Sequence, residues 1–336
     1  MKRIPVLDGI RGLAIALVVS GHIALRLDQA VGTMMGSLGV DFFFVLSGYL
    51  ITRVLLHEEA LGNLSLPGFY KRRALRIFPA FYVFLLTLGL LVGLGWLPHK
   101  DSETWLASAF YFRNIYGSGW DTAHLWSLSL EEQFYVTWPI VFILIKRRRL
   151  AFIAVSVIGF TLHRAVWLHG HSMDGLRWLP NLRLDTFLIG AAFAIEKRKP
   201  QVPPELAIAL LIIWFPFAPL APVLRPVDTV VSAFLIGCLI VWIVENSTSW
   251  AGRLFSARGI AGLGIVSYSV YLWQQIFLGP HLCWWSLPAL AITSFVSYRL
   301  VERPAIRLKN RWSRSALNAL ENPLASAADA LSAPSC

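Results

Sequence analysis

LDGIRGLAIALVVSGHI, residues Leu7 to Ile23, reads as one apolar helix that nevertheless carries Asp8, Arg11 and His22. On helical geometry Arg11 and His22 lie about three turns apart, roughly 16 Å along the axis, and Asp8 falls within about 40° of the same face. An ionisable side chain inside a bilayer is costly and turns towards protein or a wet cavity. The segment is therefore expected to show one polar stripe to the inside of a bundle. Arg11 sits near its first end, and His22 roughly 8 Å below its second.

The remainder of the chain supplies that bundle. Of 336 residues, 56% are hydrophobic and 15% are charged, with mean hydropathy +0.60. A soluble domain carries about 25% charged residues. Apolar segments long enough for a bilayer core of about 30 Å fall at Leu7–Leu27, Val40–Leu56, Ile77–Leu97, Ser127–Ile145 and Leu150–Leu168. They continue at Leu179–Ile195, Leu206–Leu224, Val227–Val244, Leu263–Leu278 and Trp284–Leu300. The expected fold class is all-α: a polytopic membrane protein of about ten transmembrane helices with both termini cytoplasmic. With the N-terminus inside, the basic clusters KRRALR, KRRR, EKRK and ERPAIRLKNRWSR also lie inside. Only Arg26, Lys100, Arg113, Arg164, Arg177, Arg183 and Arg225 lie outside, as the positive-inside rule requires.

Several details refine this plan. Pro180, Arg183 and Asp185 interrupt the sixth segment, and Pro216, Pro219 and Pro222 should bend or unwind the outer end of the seventh. The longest outside loop, Pro98 to Leu125, holds Trp105, Tyr111, Phe112, Tyr116 and Trp120, expected as an interfacial aromatic layer. Residues 1–314 should form the transmembrane unit and 315–336 a disordered cytoplasmic tail rich in small residues. The net charge of +11 belongs to the basic loops and argues against a nucleic-acid partner. Cys238, Cys283 and Cys336 are too scattered for a disulfide framework or a metal site. No cleavable leader is evident after Lys2 and Arg3.

The charged groups suggest chemistry. In HLWSLSLEEQFYVTWP, Glu131 is placed near the outer end of the fourth segment, at the depth expected for His22. An imidazole held by a carboxylate is a general-base pair for a hydroxyl. Asp41, in GVDFFFVLSGYLIT, is a second candidate partner, although a helix-start role also fits. Glu132 competes with Glu131, and a purely structural role remains open for each of these groups. On the inner side, Arg73 and Arg76 share one helical face. Paired guanidiniums suit phosphate, with Arg72, Lys71 and Arg11 adding to the field. They also suit a simple positive-inside anchor. The glycines of GIAGLGIV follow no strand, so close helix packing explains them better than phosphate binding.

RIPVLDGIRGLAIALVVSGH, GVDFFFVLSGYLIT, KRRALRIFP, HLWSLSLEEQFYVTWP, YSVYLWQQ and VERP, in this order, resemble the acyltransferase-3 family of integral membrane acyltransferases. The resemblance implies acyl transfer, often acetyl, from a cytosolic acyl-CoA to a hydroxyl of a surface glycan, lipid-linked sugar or secreted metabolite, in a bacterial cytoplasmic membrane. The family pattern falls on Arg11 and His22, on Arg73 and Arg76 as donor contacts, and on Glu131 rather than Glu132. RLDTFLIGAAFA, with Arg183 and Asp185, is similar to a further family segment. Gln274 stands where many members have a histidine, so no base is expected there. Some members carry an extracytoplasmic domain after the tenth span; without it, this unit would act alone or with a partner.

The expected catalytic set is thus His22, Glu131, Arg11 and Asp41. The donor-binding set is Arg73, Arg76 and Arg72, and no metal is expected. A transporter or flippase for a glycan or lipid would also use a polar stripe, although no similarity between the halves supports it. A structural scaffold would gain little from buried Arg11 and His22.

Overall fold

The computed structural model describes residues 4–170, 183–197, 200–217, 222–279 and 282–312. The expected tail at 315–336, along with Pro180, Arg177 and Pro219, lies outside the described residues. Among the described residues every regular element is helical. The principal helices are α1 (Pro5–Ala24), α2 (Gln29–Ala60), α3 (Leu66–Gly93), α4 (Ser102–Ala109), α5 (Trp120–Ala123), α6 (Leu125–Leu144) and α7 (Arg149–Gly170). They are followed by α8 (Leu184–Ile195), α9 (Pro204–Phe217), α10 (Asp228–Glu245), α11 (Trp250–Ser256), α12 (Arg258–Phe277) and α13 (Ser286–Ser297). A π-turn at Tyr298–Glu302 leads into α14 (303–312).

Helices fall on each of the ten expected segments, with altered bounds. Five stretches are long and apolar enough to cross a membrane: Pro5–Ala24, Gln29–Ala60, Leu66–Gly93, Lys146–His169 and Val223–Glu245. This is the architecture of an integral membrane protein. The others fall short for visible reasons. Glu131, Glu132 and Gln133 lower the hydropathy of α6, while α8 and α13 have 12 residues each. Pro216 lies within α9, and Pro222 opens a 3-10 turn, Pro222–Val227.

Local chemistry sets the helix ends. Pro5 occupies the first turn of α1, where its missing N–H costs nothing. Asp28 caps α2 by accepting from the Ala30 and Val31 backbone N–H groups. The sequence reading began this segment at Val40, with Asp41 near its start. The helix in fact begins at Gln29, so Asp41 is an interior residue and Asp28 does the capping. Ser65 caps α3 by accepting from Gly68 N–H.

α1 is central, packed along α2 on one side and α12 on the other, while α8 lies against α2. Glycine permits the close approach of α1 and α12. A Cβ on Gly12 would stand 2.2 Å from Ile260 O, and one on Gly264 would stand 1.7 Å from Asp8 O. The glycines of GIAGLGIV thus divide: Gly264 is a packing contact, whereas Gly259 and Gly262 meet nothing. Gly264→Ala should therefore force the two helices apart. Overpacking of this kind costs about 1–3 kcal/mol, to be read as a lower thermal midpoint in detergent, with Gly262→Ala as the neutral control.

The expected aromatic loop layer is instead a folded cap. Tyr111 is buried and stacks on Phe81 with ring centroids 4.3 Å apart. The buried Lys100 donates to Asp121 at 2.7 Å. Arg113 Nε donates to Thr122 Oγ1 at 3.1 Å. Trp120 Nε1 donates to the carbonyl of Gln275 at 2.9 Å, tying the cap to α12. Leu106, Phe110, Phe112, Ile115 and Tyr116 keep exposed faces.

Candidate active site

Three cavities that share wall residues lie along the bundle between the end where α1 begins and the end that carries the cap. The first, of about 600 Å³, is lined by Asp8, Arg11, Arg53, Arg72, Arg73, Arg76, Glu302 and Lys309. The second, of about 80 Å³, shares Arg11, Arg73 and Arg76 with it and adds Ser47, Glu131, Glu132, Tyr135 and Tyr268. The third, of about 200 Å³, contains His22, Trp120, His124, Trp126 and Gln275, and shares Val40 and Tyr271 with the second. The polar stripe of α1 is spread along this series: Asp8 and Arg11 at the first cavity, His22 at the third.

The three basic residues of α3 do different things. Arg72 pairs with Glu58. Arg73 turns inward, 3.4 Å from Glu131 and 3.9 Å from Glu132, with its guanidinium 3.3 Å from the centre of the Tyr135 ring. Arg76 lines both the first and second cavities and forms no hydrogen bond or ion pair with a described residue. It is therefore the guanidinium free to take a ligand. Lys71 lies off this surface, 2.7 Å above the ring of Trp312. Lys309 of α14 adds a further cation to the first cavity. Burial first, then the nearby guanidiniums of Arg76, Arg72, Arg73 and Arg11, push its amine down to about 8.

Glu131 is held by Ser47, whose Oγ–H donates to Oε1 at 2.5 Å, and its oxygen also contacts the Tyr135 hydroxyl. It does not touch His22. Counting from a segment edge at Ser127 puts the carboxylate at the depth of His22, but the segment starts earlier. The residue of this strand of sequence that reaches the His22 layer is His124, just before α6. Glu131 is two turns further along, about 10 Å deeper at 1.5 Å per residue. Asp41 does not meet His22 either; it pairs with Arg183. Asp185 pairs with Arg164, so both acidic and basic groups of the RLDTFLIG segment serve buried ion pairs.

His22 has other company. Its Nδ1–H donates to Val18 O at 2.9 Å, its Nε2 lies 3.3 Å from Gln275 Nε2, and its ring meets the Trp120 ring edge-on with centroids 5.7 Å apart. Gln274, the position singled out by resemblance, is fully buried with neither amide atom partnered; its neighbour Gln275 is the one that faces His22. The sequence reading did not select Ser47, Tyr135, Glu302, His124 or Gln275 as site residues. Ser47, Glu302, His124 and Gln275 find their partners tens of residues away in sequence, so no local spacing announces them, whereas Tyr135 stands one turn from Glu131 on the same helix. VERP and YSVYLWQQ, quoted for the family resemblance, were the only signals pointing to Glu302 and Gln275. Among the described residues no group of three or more His, Cys, Asp or Glu is arranged to hold a metal.

The arrangement offers a strongly cationic chamber, a narrow polar neck, and an aromatic chamber holding a histidine. The acyltransferase-3 model, an acyltransferase domain, matches residues 4–301. The chain is 29% identical over 90% of its length to the peptidoglycan O-acetyltransferase OatA of Listeria monocytogenes, covering 56% of that protein. It is 30% identical to the putative peptidoglycan O-acetyltransferase YrhL of Bacillus subtilis, again over 90% of this chain and 55% of the relative. A putative O-acetyltransferase of Staphylococcus aureus is 29% identical over 90% of this chain and 57% of its own. The chain thus spans about half the length of the curated relatives it matches. No solved structure matches.

Proposed function

Because this chain belongs to the acyltransferase-3 family, we propose that it moves an acyl group, acetyl by analogy with its relatives, from acyl-CoA to a hydroxyl of a glycan. In this reading it crosses the bacterial cytoplasmic membrane ten times with both termini in the cytoplasm. The first cavity then opens to the cytosol and the third to the outside. A sugar of peptidoglycan is the first acceptor to test, given what OatA is named for. An extracytoplasmic partner that delivers the acceptor or receives the acyl group fits the same scheme.

The observation that carries this reading is the sharing of walls. Arg11, Arg73 and Arg76 belong to the first and second cavities, and Val40 and Tyr271 to the second and third. Donor phosphates would sit at Arg76, with Arg73, Arg72 and Lys309 contributing charge. The pantetheine arm would pass Ser47 and Tyr135 and bring the thioester to Tyr271. The acceptor hydroxyl would enter beside His22, whose Nε2 takes the hydroxyl proton as the oxygen attacks the thioester carbon. The carbon–sulfur bond breaks, the thiolate leaves, and the imidazolium returns the proton to it. In this scheme Glu131 holds Arg73 in the neck, and Asp41 holds Arg183. A transporter needs none of the donor chemistry.

Purified protein in liposomes should therefore retain radiolabelled acetyl-CoA and release CoA thiol when acceptor is added. Absence of acetyl-CoA binding, with no difference on Arg76→Ala, would favour transport instead. Donor affinity should also weaken with pH. The Lys309 amine titrates near 8, so it is charged below that pH and neutral above it. Bound phosphate would favour the charged form, so affinity should fall as pH rises from 7 to 9. The change should be about tenfold or less, lost in Lys309→Met and measurable by isothermal titration with acetyl-CoA.

A further inference from the structure

The third cavity contains a hydrogen-bonded triad that accounts for how His22 is held without a carboxylate. Gln275 Oε1 accepts the backbone N–H of His124 at 3.0 Å and lies 2.8 Å from His124 Nδ1. The other His124 nitrogen, Nε2, lies 3.0 Å from Leu272 O. Gln275 Nε2 faces His22 Nε2 at 3.3 Å, and His22 Nδ1 lies 2.9 Å from Val18 O. Gln275 and His124 are 4% and 2% exposed, so water does not substitute freely for these partners.

The protons can be counted. Val18 O and Leu272 O only accept, so His22 Nδ1 and His124 Nε2 must each carry a proton. That is one proton per ring, the complement of two neutral imidazoles. With the amide oxygen towards His124, the contact at 2.8 Å is a hydrogen bond only if His124 Nδ1 also carries a proton. With the amide turned over, the oxygen faces His22 Nε2, and that atom needs the proton instead. In either orientation the network closes with three ring protons, one more than two neutral rings hold. We propose that His22, Gln275 and His124 form a single proton-accepting unit, with Gln275 as the positioning residue.

At rest, with two ring protons, the Gln275 amide N–H points at the lone pair of His22 Nε2 and fixes the tautomer with Nδ1–H on Val18 O, while Oε1 and the bare His124 Nδ1 face each other as two acceptors 2.8 Å apart, the contact that the third proton relieves. When His22 Nε2 gains a proton, two donors would face each other. The amide then turns: Oε1 accepts His22 Nε2–H, and the amide N–H donates to His124 Nδ1. The turned amide leaves the His124 backbone N–H unpaired, which drives the return once the proton has left. Among the described residues no other group competes for this work. No carboxylate lines the cavity. Tyr271 is engaged with Ser127 and His124 O, Asp121 with Lys100, Asp41 with Arg183, and Arg26 with Gly279 O.

The catalytic use of the unit rests on the transfer reading above; the proton count does not. The full-length protein, labelled with 15N-histidine in detergent, separates the two. His22→Asn and His124→Asn assign the signals. In the wild type, acidification should add one proton in a single transition that moves both rings at the same pH. Gln275→Met should split it into two independent transitions. A wild-type His22 that titrates alone, unaffected by Gln275→Met, would overturn the proposal. In the activity arm, Gln275→Met should lower CoA release about 100-fold at unchanged KM for acetyl-CoA. Gln275→Glu, which can still accept from His22, should recover about a tenth of the rate with a displaced pH profile. Normal turnover in Gln275→Met, or no rescue by Gln275→Glu, also counts against it. If the wild type releases no CoA, the transfer reading falls and the spectra alone decide. Should Gln275→Met not fold, Gln275→Asn, too short to bridge both rings, replaces it.

Discussion

Replacing His22 with alanine should abolish acyl transfer, by about 1,000-fold or more, while leaving acetyl-CoA binding and the thermal midpoint close to wild type. The expectation follows from what the side chain touches. Its Nδ1–H bond is to Val18 O of its own helix, and its other contacts are Gln275 and the edge of Trp120. None of these joins elements that are otherwise loose, because α1 is already packed along α2 and α12. Donor binding should persist, since Arg76 and its neighbours belong to cavities that His22 does not line. Purified His22→Ala that still releases CoA at the wild-type rate would remove the histidine from the mechanism.

Replacing Arg76 with alanine should do the reverse. A charge-assisted hydrogen bond to phosphate is worth about 1.5–3 kcal/mol, so the Kd for acetyl-CoA should rise about 10- to 150-fold at constant ionic strength. Stability should barely change or improve, because Arg76 has no carboxylate partner among the described residues and stands in one field with Arg11 and Arg73. Arg73→Ala provides the contrast. It would strip Glu131 and Glu132 of their cation, so lost affinity there should come with a lower thermal midpoint. Equal Kd values for Arg76→Ala and the wild type would mean that the first cavity holds something other than the donor phosphates.

Much of this was legible in the residues, for reasons that also explain the rest. The stripe of α1 could be read because helical periodicity is local: Asp8, Arg11 and His22 share a face whatever surrounds them. The Arg73–Arg76 spacing is local in the same way. It could not tell which of the two is free, because that depends on Glu131 and Glu132 of another helix. The start of α2 is hidden in the sequence because QAVGTMMGSLG lacks a sustained apolar run, although Asp28 before it is a cap residue. The partner of His22 was misjudged for a reason of depth. Counting down a helix from an assumed edge shifts every residue together. An error of two turns along α6 exchanges His124 for Glu131 at the level of His22. Gln275 carries no charge, so a search for ionisable groups passes over it.

The neck between the chambers has a bearing on bioenergetics. It holds about 80 Å³, against about 600 and 200 Å³ for its neighbours, beside a tyrosine whose hydroxyl is already engaged by Ser127 and by the carbonyl of His124. A slender thioester arm would occupy this gap on the transfer reading. On the transfer reading, a thioester arm seated in this neck displaces its water, so a two-carbon unit would cross between compartments with no open aqueous path beside it.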